Sequence, residues 1–368
     1  MKVIEAISDT NIGGAGVLLL NRLECTDLEK YQTTVLLPCG SRLTQGLERL
    51  GVDYREIDCC GDRSWALADM IKYKREIEKI SPHIINCHGC LSARVAAKLS
   101  GVPVKVCTRH CVFPVTKKEK KFGIINNWLS DCFIAVAYSA KENLVALGID
   151  EDKIRVIING AKGLRETGQK ERVQIKKILG IGEGSLVLIM CARLEKCKGH
   201  TVLLSAVKKL VKEGIDCVAV LLGCGTEEMA LKKYCSDNGI QDRVIFVGFV
   251  DDVAPYMSIA DLNINCSVGT ETSSLALSEG MSLGVPAIVS DYGGNAYMVR
   301  DGENGLVYPT GDWKALAECI KRMMGNKEEY KKMCRKSKER FDNELNSLSM
   351  TQKNNRLYDE LFIKSRKA

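Results

Sequence analysis

The 368-residue sequence is poor in proline and has no long apolar run. Only 7 prolines stand beside 32 glycines, and 45% hydrophobic with 27% charged residues exclude fibrous and disordered chains. No window approaches the roughly 20 apolar residues that a membrane-spanning helix needs. The opening "MKVIEAIS" places Lys2 and Glu5 inside a strand-like run, which a secretory leader would not do. We therefore expect a cytoplasmic protein, with membrane association left open.

Cysteine, by contrast, is abundant, with 17 residues. Many of them lie in apolar runs such as "VLLPCG" and "LIMCA", where a thiol packs as a small hydrophobic group. Reduced cysteines in a cytosol fit this pattern better than disulfides. The net charge of +7 favours anionic ligands or an anionic membrane face. The sequence lacks an aromatic–basic module, so we expect no nucleic-acid partner.

Short apolar runs alternate with amphipathic segments along the chain, a pattern typical of parallel sheets covered by helices. The runs form two series, and the chain is long enough for two cores. The first series predicts strands at 2–8, 33–38, 83–88, 104–109, 132–137 and 154–158, and the second at 186–192, 217–223, 243–248, 262–267, 286–291 and 305–308.

A polar, glycine-containing stretch, residues 159–174, separates the two series and is the expected linker. We predict an α/β protein of two doubly wound, Rossmann-like domains, residues 1–165 and 166–349, facing each other across a cleft. A C-terminal helix over about residues 350–368 is a candidate to pack back on the first domain. Ligands of such sheets bind beyond the carboxyl ends of the strands, so the loops after the strands are where function is sought.

A glycine loop follows the first strand, with Gly13, Gly14 and Gly16 ahead of an apolar, helix-like run. Backbone N–H groups at a helix start favour phosphate or another anion. The nicotinamide fingerprint G-x-G-x-x-G fails here because Leu19 stands where its third glycine belongs, so NAD is disfavoured. A glycine turn that serves only helix packing is the structural alternative.

Basic residues follow the first strand of the second series in "CARLEKCKGH". Arg193 and Lys198, with Lys196 between them, can turn towards one ligand and neutralise a diphosphate. A merely solvated basic loop is the alternative.

The segment "GTETSSLALSEGMSLGVPAIVSD" (269–291) carries two carboxylates around a predicted helix. We expect Thr272 or Ser273 to cap the helix, which runs to about Leu283. Glu271 then lies in the loop before the helix and Glu279 about two turns into it.

Two acids separated in this way could bind opposite ends of an extended ligand, while the N–H groups of residues 273–275 suit its phosphate. The alternative is a surface helix with an acid near its start.

The same segment, "E-x7-E" followed by "GMSLGVPAIVSDYGGN", strongly resembles the donor-binding signature of family 4 of the retaining glycosyltransferases, which have the two-Rossmann GT-B fold. The resemblance covers nearly the whole chain. It extends to "GGAG" after the first strand, "CTRH" as the family's T-x-H, "AVAYSAKENL" and "VIING" as its domain-connecting segment, "ARLEKCKG" as its R-x4-K, and "LLGCGTEE" as its G-x-G.

The resemblance implies roles for individual residues. Glu279 would hold the ribose hydroxyls of a nucleotide, Arg193 and Lys198 its diphosphate, Glu271 would face the transferred sugar, and His110 would lie beside the reacting sugar. The implied catalytic set is His110, Glu271, Arg193 and Lys198, and the implied donor-binding set is Gly13, Gly14, Arg193, Lys198, Gly223, Ser273, Ser274, Leu275 and Glu279.

One departure from the family pattern stands after the second Gly-Gly pair. The family commonly has an acid there, and this chain has Tyr297 in "GGNAYMV". We therefore assign that loop no role beyond packing or donor contact.

The resemblance implies a retaining hexosyltransferase that moves a sugar from a nucleotide-diphospho-sugar, with UDP as the usual nucleotide, to an acceptor hydroxyl in polysaccharide or glycolipid synthesis. We expect no cofactor and no metal, because fixed cations and helix amides can stabilise the leaving diphosphate and no D-x-D signature follows a strand. A nucleotide-sugar epimerase and a non-catalytic sugar-nucleotide-binding protein remain the alternatives.

Two further patterns leave alternatives open. "CHGC" and "CTRHC" place Cys87, His88, Cys90, Cys107, His110 and Cys111 near a zinc-ribbon spacing, but both end parallel strands, and zinc knuckles usually occupy turns. We favour unpaired thiols, with His88 a weaker site candidate than His110. In "TKKEKKFGIINNWLSD" the segment Lys117–Lys121 precedes Phe122 and Trp128, which indicates either a solvated helix start or a surface for anionic lipid or an anionic acceptor.

Overall fold

The computed structural model describes residues 1–10, 13–59, 65–112 and 115–367, without the side chains of residues 117 and 118. The chain divides into two compact units. Unit 1 is Met1–Ala161 with the C-terminal segment from Ser347, and unit 2 is Lys162–Asn346. The division between the units thus falls after Ala161. The sequence analysis places the boundary near residue 165.

Seven parallel strands form the sheet in the described part of unit 1, in the order β3-β2-β1-β4-β5-β6-β7. Six of them coincide with the apolar runs of the first series. The sequence analysis missed β3, whose residues "DYREI" are mostly exposed at the sheet edge and so lack an apolar run. The strands are β1 Lys2–Ile7, β2 Gln32–Pro38, β3 Asp53–Ile57, β4 Ile84–His88, β5 Val104–Arg109, β6 Cys132–Ala135 and β7 Ile154–Val156.

The strands of this sheet are apolar on both faces because helices cover both. Ile4 and Ile85 pack with Tyr73 in one core cluster, and Ile7 packs with Leu19 in another. The helices are α1 Gly14–Glu24, α2 Leu43–Leu50, α3 Leu67–Ile80, α4 Leu91–Leu99, α5 Lys117–Lys121, α6 Gly123–Leu129 and α7 Tyr138–Ala146.

Six parallel strands form the sheet in the described part of unit 2, in the order β10-β9-β8-β11-β12-β13. All six lie on the apolar runs of the second series. They are β8 Leu186–Cys191, β9 Cys217–Leu222, β10 Val244–Gly248, β11 Leu262–Asn265, β12 Ala287–Ser290 and β13 Gly305–Tyr308.

The helices of unit 2 correct one expectation. Residues 169–174 were expected in a linker, but they begin α8, whose polar sequence leaves it without a buried residue and so hides its helical pattern. The helices are α8 Gln169–Ile178, α9 His200–Lys212, α10 Glu228–Asp237, α11 Ala254–Met257, α12 Leu275–Ser282, α13 Asn295–Met298, α14 Trp313–Gly325 and α15 Lys327–Arg340.

The last helix, α16 (Ser347–Ser365), belongs to unit 1 although unit 2 precedes it in the chain. The Thr351 hydroxyl donates to the carbonyl of Arg22 in α1 at 3.2 Å. The Tyr358 hydroxyl donates to the Glu5 carboxylate of β1 at 2.9 Å. Residues 1–161 therefore form their complete core only together with α16. Among the described residues, no helix combines the length and apolar character needed to span a bilayer.

Both sheets reverse their strand order once, between β1 and β4 in unit 1 and between β8 and β11 in unit 2. Doubly wound sheets bind ligands beyond the carboxyl ends of the strands at this switch point. The loops after β8 and β11, and those after β1 and β4, are thus the places where the fold predicts a site.

Candidate functional site

An ion pair joins the two loops at the switch point of unit 2. Lys198, in the loop after β8, donates from Nζ to Oε2 of Glu271, in the loop after β11, at 2.8 Å. Both side chains are largely buried, with 15% and 8% of their surfaces exposed. The two loops are also joined through their backbones, since the N–H groups of Val268 and Gly269 donate to the carbonyl of Cys197. The fold therefore brings two of the residues proposed from the sequence into contact.

Three donors hold one oxygen of Glu271. Besides Lys198, the Ser267 hydroxyl at 2.8 Å and the Asn265 amide at 3.3 Å donate to Oε2. Oε1 accepts no hydrogen bond from any described residue. One carboxylate oxygen is thus fixed by the protein, and the other is left for a ligand.

The backbone around Glu271 is strained and tightly packed. Thr270 has a positive φ of 47°, which a β-branched residue rarely adopts. A Cβ on Gly293, in the loop after β12, would lie 2.1 Å from the carbonyl oxygen of Glu271, and Gly293 itself has a φ of +62°. Strained, closely packed backbone of this kind occurs at functional sites, where the surrounding structure enforces it.

Helix α12 begins later than the sequence analysis placed it. Its N-cap is Ser274, so neither Thr272 nor Ser273 caps the helix, and Glu279 lies one turn into it rather than two. Ser274 itself has extended backbone angles, with φ of -74° and ψ of 117°. The first free N–H groups therefore belong to Leu275 and the residues after it, and the helix dipole favours an anion there. The Ser273 hydroxyl is buried and has no partner among the described residues.

Glu279 is a half-buried carboxylate that makes no hydrogen bond or ion pair with any described residue. Desolvation raises its pKa above the ordinary glutamate value of 4.5. The Glu279 carboxylate adds to the effect of burial in raising the pKa of the Cys191 thiol, which places it near the carboxyl end of β8. A desolvated, unpaired carboxylate gains most from a ligand that donates hydrogen bonds to it.

Arg193 lies in the loop after β8, the loop that also carries Lys198, at the carboxyl end of the strand. Its side chain is exposed and forms no hydrogen bond or ion pair within the described part of the chain. Arg193 and Lys198 thus supply two cations in one loop, one unpaired and one bound to Glu271.

Gly223 follows β9, the neighbour of β8. A Cβ on Gly223 would lie 2.2 Å from the carbonyl oxygen of Ala192, and its φ is +131°. Its N–H donates to the carbonyl of Gly248 at 2.8 Å. The close packing of the loops after β8, β9 and β10 thus explains why residue 223 is a glycine. These contacts do not bear on its proposed contact with the donor.

A buried polar network below Glu271 escaped the sequence analysis. The Asn295 side-chain amide donates to Oδ1 of Asn265 at 3.4 Å and to the Ser290 hydroxyl at 3.2 Å, and Ser290 donates to the backbone carbonyl of Ser267 at 2.7 Å. The signal was present, because "LNINCS" places an asparagine at alternate positions of an apolar strand. Such residues are buried in a sheet only when they are hydrogen-bonded.

Two other residues near this site have structural explanations. His200 begins α9, is 3% exposed, and has no partner for either ring nitrogen among the described residues. Burial, aided by Lys198, lowers its pKa to about 4, so it is neutral at physiological pH. Tyr297, the departure from the family pattern, donates to Glu344 at 3.3 Å beneath the Arg340 guanidinium.

The glycine loop of unit 1 lies after β1. Gly13 is the N-cap of α1 and Gly14 its first residue, and a Cβ on either would meet nothing within 4 Å. Gly16, expected ahead of the helix, lies inside it and packs against Leu43. Asn11 and Ile12 of the same loop lie outside the described residues. An open helix start at the switch point can accept an anion.

His110, directly after β5, is linked to a buried chain of polar groups. Its Nε2 lies 2.8 Å from Nδ1 of His88, and Nε2 of His88 lies 2.8 Å from Oε2 of Glu5. Desolvation, aided by His88, lowers the pKa of His110 to about 3, so its ring is neutral. The sequence analysis named both histidines but used Glu5 only as evidence against a leader.

The cysteines beside these histidines end neighbouring strands, as expected. Cys87 of β4 pairs with Cys107 of β5. Over the described residues, no group of three or more His, Cys, Asp or Glu side chains has an arrangement that could hold a metal. All 16 described cysteines are unpaired thiols.

The lysine-rich segment forms a helix with an apolar neighbour. Thr116 and Glu119 make a capping box at the start of α5. Phe122, Ile124 and Trp128, in and before α6, are exposed by 50%, 80% and 57%. Exposed lysines, Lys120 and Lys121, thus directly precede exposed apolar side chains in the chain, and we call residues 116–129 the α5–α6 surface.

Two parallel α/β units, each with one switch point, define the GT-B class of two Rossmann-like domains. Solved structures agree with this fold. Anabaena HepE, crystallised in complex with UDP, is 17% identical to this chain, covers 98% of it over 100% of its own length, and superposes with a TM-score of 0.87.

The chain belongs to family 4 of the glycosyltransferases. Residues 12–162 match the family described as Glycosyltransferase Family 4, and residues 171–340 match Glycosyl transferases group 1. The family and the fold that the sequence motifs predicted are both confirmed.

Curated relatives agree with the assignment. The UDP-Gal:alpha-D-GlcNAc-diphosphoundecaprenol alpha-1,3-galactosyltransferase of Escherichia coli is 27% identical over 276 residues, which is 71% of each chain. The lipopolysaccharide core biosynthesis glycosyltransferase LpsE of Rhizobium meliloti is 29% identical over 197 residues, covering 54% of this chain and 55% of LpsE.

Proposed function

We propose that this glycosyltransferase moves a sugar from a UDP-sugar to an acceptor hydroxyl with retention of anomeric configuration. The observation that carries the proposal is the set of groups at the switch point of unit 2. Four groups follow β8 and β11 at the carboxyl ends of the strands: the buried ammonium of Lys198, the start of α12, and the side chains of Arg193 and Glu279, neither of which has a partner among the described residues. These groups match the parts of a nucleotide diphosphate.

Each group has one part of the donor to bind. Glu279 accepts hydrogen bonds from the two ribose hydroxyls, which relieves its desolvation. Arg193, Lys198 and the N–H groups at the start of α12 neutralise the diphosphate. Oε1 of Glu271 contacts the transferred sugar while Oε2 stays held by Lys198 and Ser267. UDP is favoured among nucleotides because it is bound in the HepE crystal and because the Escherichia coli relative uses UDP-Gal.

The chemistry follows from charge. As the bond between the anomeric carbon and the diphosphate oxygen breaks, the sugar gains oxocarbenium character and negative charge grows on the diphosphate. Cations and helix amides already in place stabilise that charge without reorganisation. The acceptor oxygen bonds to the face that the diphosphate leaves, and the acceptor proton passes to the departing diphosphate oxygen. No metal is required for this stabilisation.

Two groups of unit 1 have proposed roles of their own. We assign His110 to the transferred sugar, with its neutral imidazole as a hydrogen-bonding group. The open start of α1 at Gly13 and Gly14 supplies a further anion contact.

The acceptor class rests on the relatives and on the α5–α6 surface. The Escherichia coli relative is named for transfer to alpha-D-GlcNAc-diphosphoundecaprenol, and LpsE is named for lipopolysaccharide core biosynthesis. Lysines beside exposed Phe122, Ile124 and Trp128 suit an anionic bilayer surface. We propose a membrane-borne glycoconjugate as acceptor, reached from this surface.

A vesicle experiment tests the surface. The protein should co-sediment with vesicles containing phosphatidylglycerol and not with phosphatidylcholine vesicles, and a K120E/K121E variant should lose binding. Equal binding to both vesicle types, or unchanged binding of the variant, contradicts this part of the proposal.

A donor panel tests the reaction. Purified protein is incubated with UDP-, GDP- and ADP-sugars, and donor hydrolysis and transfer to simple acceptors are followed by NMR, which also reads the anomeric configuration. We expect slow turnover of a UDP-sugar to a product of unchanged configuration. The proposal fails if no donor is turned over and none stabilises the protein against heat, and its retaining part fails if the product is inverted.

Binding of UDP and uridine separates the roles of the groups. An Arg193→Met variant should lose affinity for UDP and keep that for uridine, because it lacks only a phosphate contact. Apo stability should not change, since Arg193 has no partner among the described residues. Equal loss for both ligands would remove Arg193 from the diphosphate site.

A further inference from the structure

A buried relay of three side chains connects β1 of unit 1 to His110. Oε2 of Glu5 lies 2.8 Å from Nε2 of His88, and Nδ1 of His88 lies 2.8 Å from Nε2 of His110. The two imidazole planes are inclined by 21° with centroids 5.1 Å apart. This nearly coplanar arrangement suits an N–H···N hydrogen bond between the rings.

The fold builds this relay at the switch point of unit 1. β1 and β4 are neighbours there, and their register pairs Glu5 with Asn86 and Ile7 with His88. Thr108 of β5 donates to the Asn86 side-chain oxygen at 2.9 Å. Glu5 is fully buried and His88 is 8% exposed, so water does not compete for these hydrogen bonds.

Glu5 is held as a carboxylate. Burial alone would raise its pKa, but the Arg22 guanidinium of α1, together with His88 and Tyr358, keeps the pKa below the ordinary value. Tyr358 of α16 donates to Oε1 at 2.9 Å and Arg22 forms an ion pair with the same oxygen. Oε2 is thereby left for His88.

The proton positions follow from these partners. A carboxylate only accepts hydrogen bonds, so His88 donates to it from Nε2. With its one ring proton at Nε2, His88 accepts at Nδ1. His110 then donates from Nε2, and as a neutral ring it keeps Nδ1 as an acceptor.

We infer that Glu5 and His88 are positioning residues that fix the tautomer and orientation of His110 for the transfer reaction. Their link to catalysis rests on the proposed function, since it needs His110 to act on the transferred sugar. The tautomers themselves do not depend on it. An acceptor at Nδ1 suits a sugar hydroxyl, which donates, rather than a phosphate oxygen, which does not.

NMR of the intact protein tests the tautomers directly. The chain has 4 histidines, so a ¹⁵N-histidine-labelled sample gives a simple long-range ¹H–¹⁵N spectrum. We expect His88 and His110 both to show the pattern of the neutral Nε2–H tautomer at pH 7. A charged ring or an Nδ1–H tautomer at either residue overturns the relay.

Variants then test its effect on the reaction. Glu5→Gln replaces an acceptor-only group by one that also donates, so the tautomers of His88 and His110 should shift or mix. The kcat of donor turnover should fall on the order of tenfold to a hundredfold. The Kd of UDP should stay within about twofold, because the nucleotide contacts lie in unit 2.

Tyr358→Phe is the matched control. It removes one hydrogen bond to Glu5 but keeps the carboxylate and its ion pair with Arg22, so kcat should fall much less than in Glu5→Gln and the tautomers should stay as in the wild type. Loss of kcat in Glu5→Gln with unchanged tautomers would reduce Glu5 to a structural residue and overturn the inference. If the wild type turns over no donor, the proposed function fails, and the wild-type spectrum still decides the tautomers.

Discussion

Glu279 is a single residue whose surroundings indicate a ligand. Its carboxylate is half-buried, its pKa is raised by desolvation, and no described residue donates to it. A structural acid of this burial is normally paired. The two ribose hydroxyls of a nucleotide would complete the site.

Glu279→Gln should therefore weaken UDP and uridine alike. Hydrogen bonds to a charged group contribute about 1.5 to 3 kcal/mol, so we expect an affinity loss of roughly tenfold to a hundredfold in calorimetric titration. The apo protein should unfold at the same temperature or higher, because the variant removes a desolvated charge. The control is Glu183→Gln. Glu183 is an exposed acid that precedes β8, at the amino ends of the strands and away from the proposed site. Equal affinity in Glu279→Gln and wild type would contradict the assignment.

His200 predicts a stability loss on acidification. Its folded pKa of about 4 lies below the ordinary 6.5, so the unfolded chain binds the proton more readily. Stability is complete above pH 6.5 and falls as the pH drops towards 4. His200→Leu removes this contribution, and its loss of unfolding free energy between pH 7.5 and pH 5 should be about 2 kcal/mol smaller than that of the wild type. If the unfolding free energies of the two proteins fell equally between pH 7.5 and pH 5, His200 would not titrate as described.

At the residue scale the sequence predicted the charged groups better than the network that supports them. Arg193, Lys198 and Glu271 stand in a motif at loop positions, so their place was readable. Asn295 and Ser290 are buried by tertiary contacts that no local pattern records. Glu5 looked like an ordinary polar residue in a strand, because its partners come from β4, α1 and the distant α16.

Among the structural elements, the loop after β12 supports the site most directly. Gly293 has a left-handed φ, and a Cβ at this position would overlap the carbonyl oxygen of Glu271. The loop thus presses on the backbone that carries the catalytic candidate.

Gly293→Ala should damage stability and activity together. The left-handed φ alone costs about 1 kcal/mol for alanine, and the overlap with Glu271 adds a further 1 to 3 kcal/mol in chemical denaturation. Donor turnover should fall as Glu271 shifts. Gly302→Ala is the control, because its φ of +73° is similar but nothing lies within 4 Å of its Cβ. Identical losses in the two variants would show that the contact with Glu271 does not matter.

Elements with strong apolar patterns were predictable, and those without were not. All strands of unit 2 were found from their runs, whereas β3 and the start of α8 were missed, since both are polar and exposed. Helix α12 was placed too early because Thr272 and Ser273 are good capping residues, and the fixed Glu271 loop overrides that local preference.

On the scale of the whole molecule, the chain returns from unit 2 to complete unit 1. Helix α16 contributes Leu357 and Tyr358, 5% and 1% exposed, to the core of unit 1. The Ser347 N–H donates to the carbonyl of Ala161 where the chain re-enters. The sequence indicated a terminal helix, but its partner could not be read, because amphipathic spacing does not say which surface a helix covers.

Truncation after Asn346 should destabilise unit 1 selectively. Without α16, the buried Glu5 and Arg22 lose Tyr358 and become exposed, so calorimetry should show unit 1 unfolding at lower temperature than in the full chain. UDP should still stabilise unit 2, because the truncation leaves the proposed nucleotide contacts intact. Truncation after Ser365 is the control and should leave both transitions unchanged. If unit 1 of the chain truncated after Asn346 unfolded at the same temperature as in the full chain, the role of α16 would be contradicted.

The central claim is that the switch-point edge of unit 2 binds a nucleoside diphosphate. A crystal structure of the intact protein with UDP tests it most directly. The account predicts the ribose hydroxyls within hydrogen-bond distance of Glu279 and the diphosphate against Arg193, Lys198 and the first N–H groups of α12. UDP bound elsewhere, or bound there with Arg193 and Glu279 turned away from it, would contradict the claim.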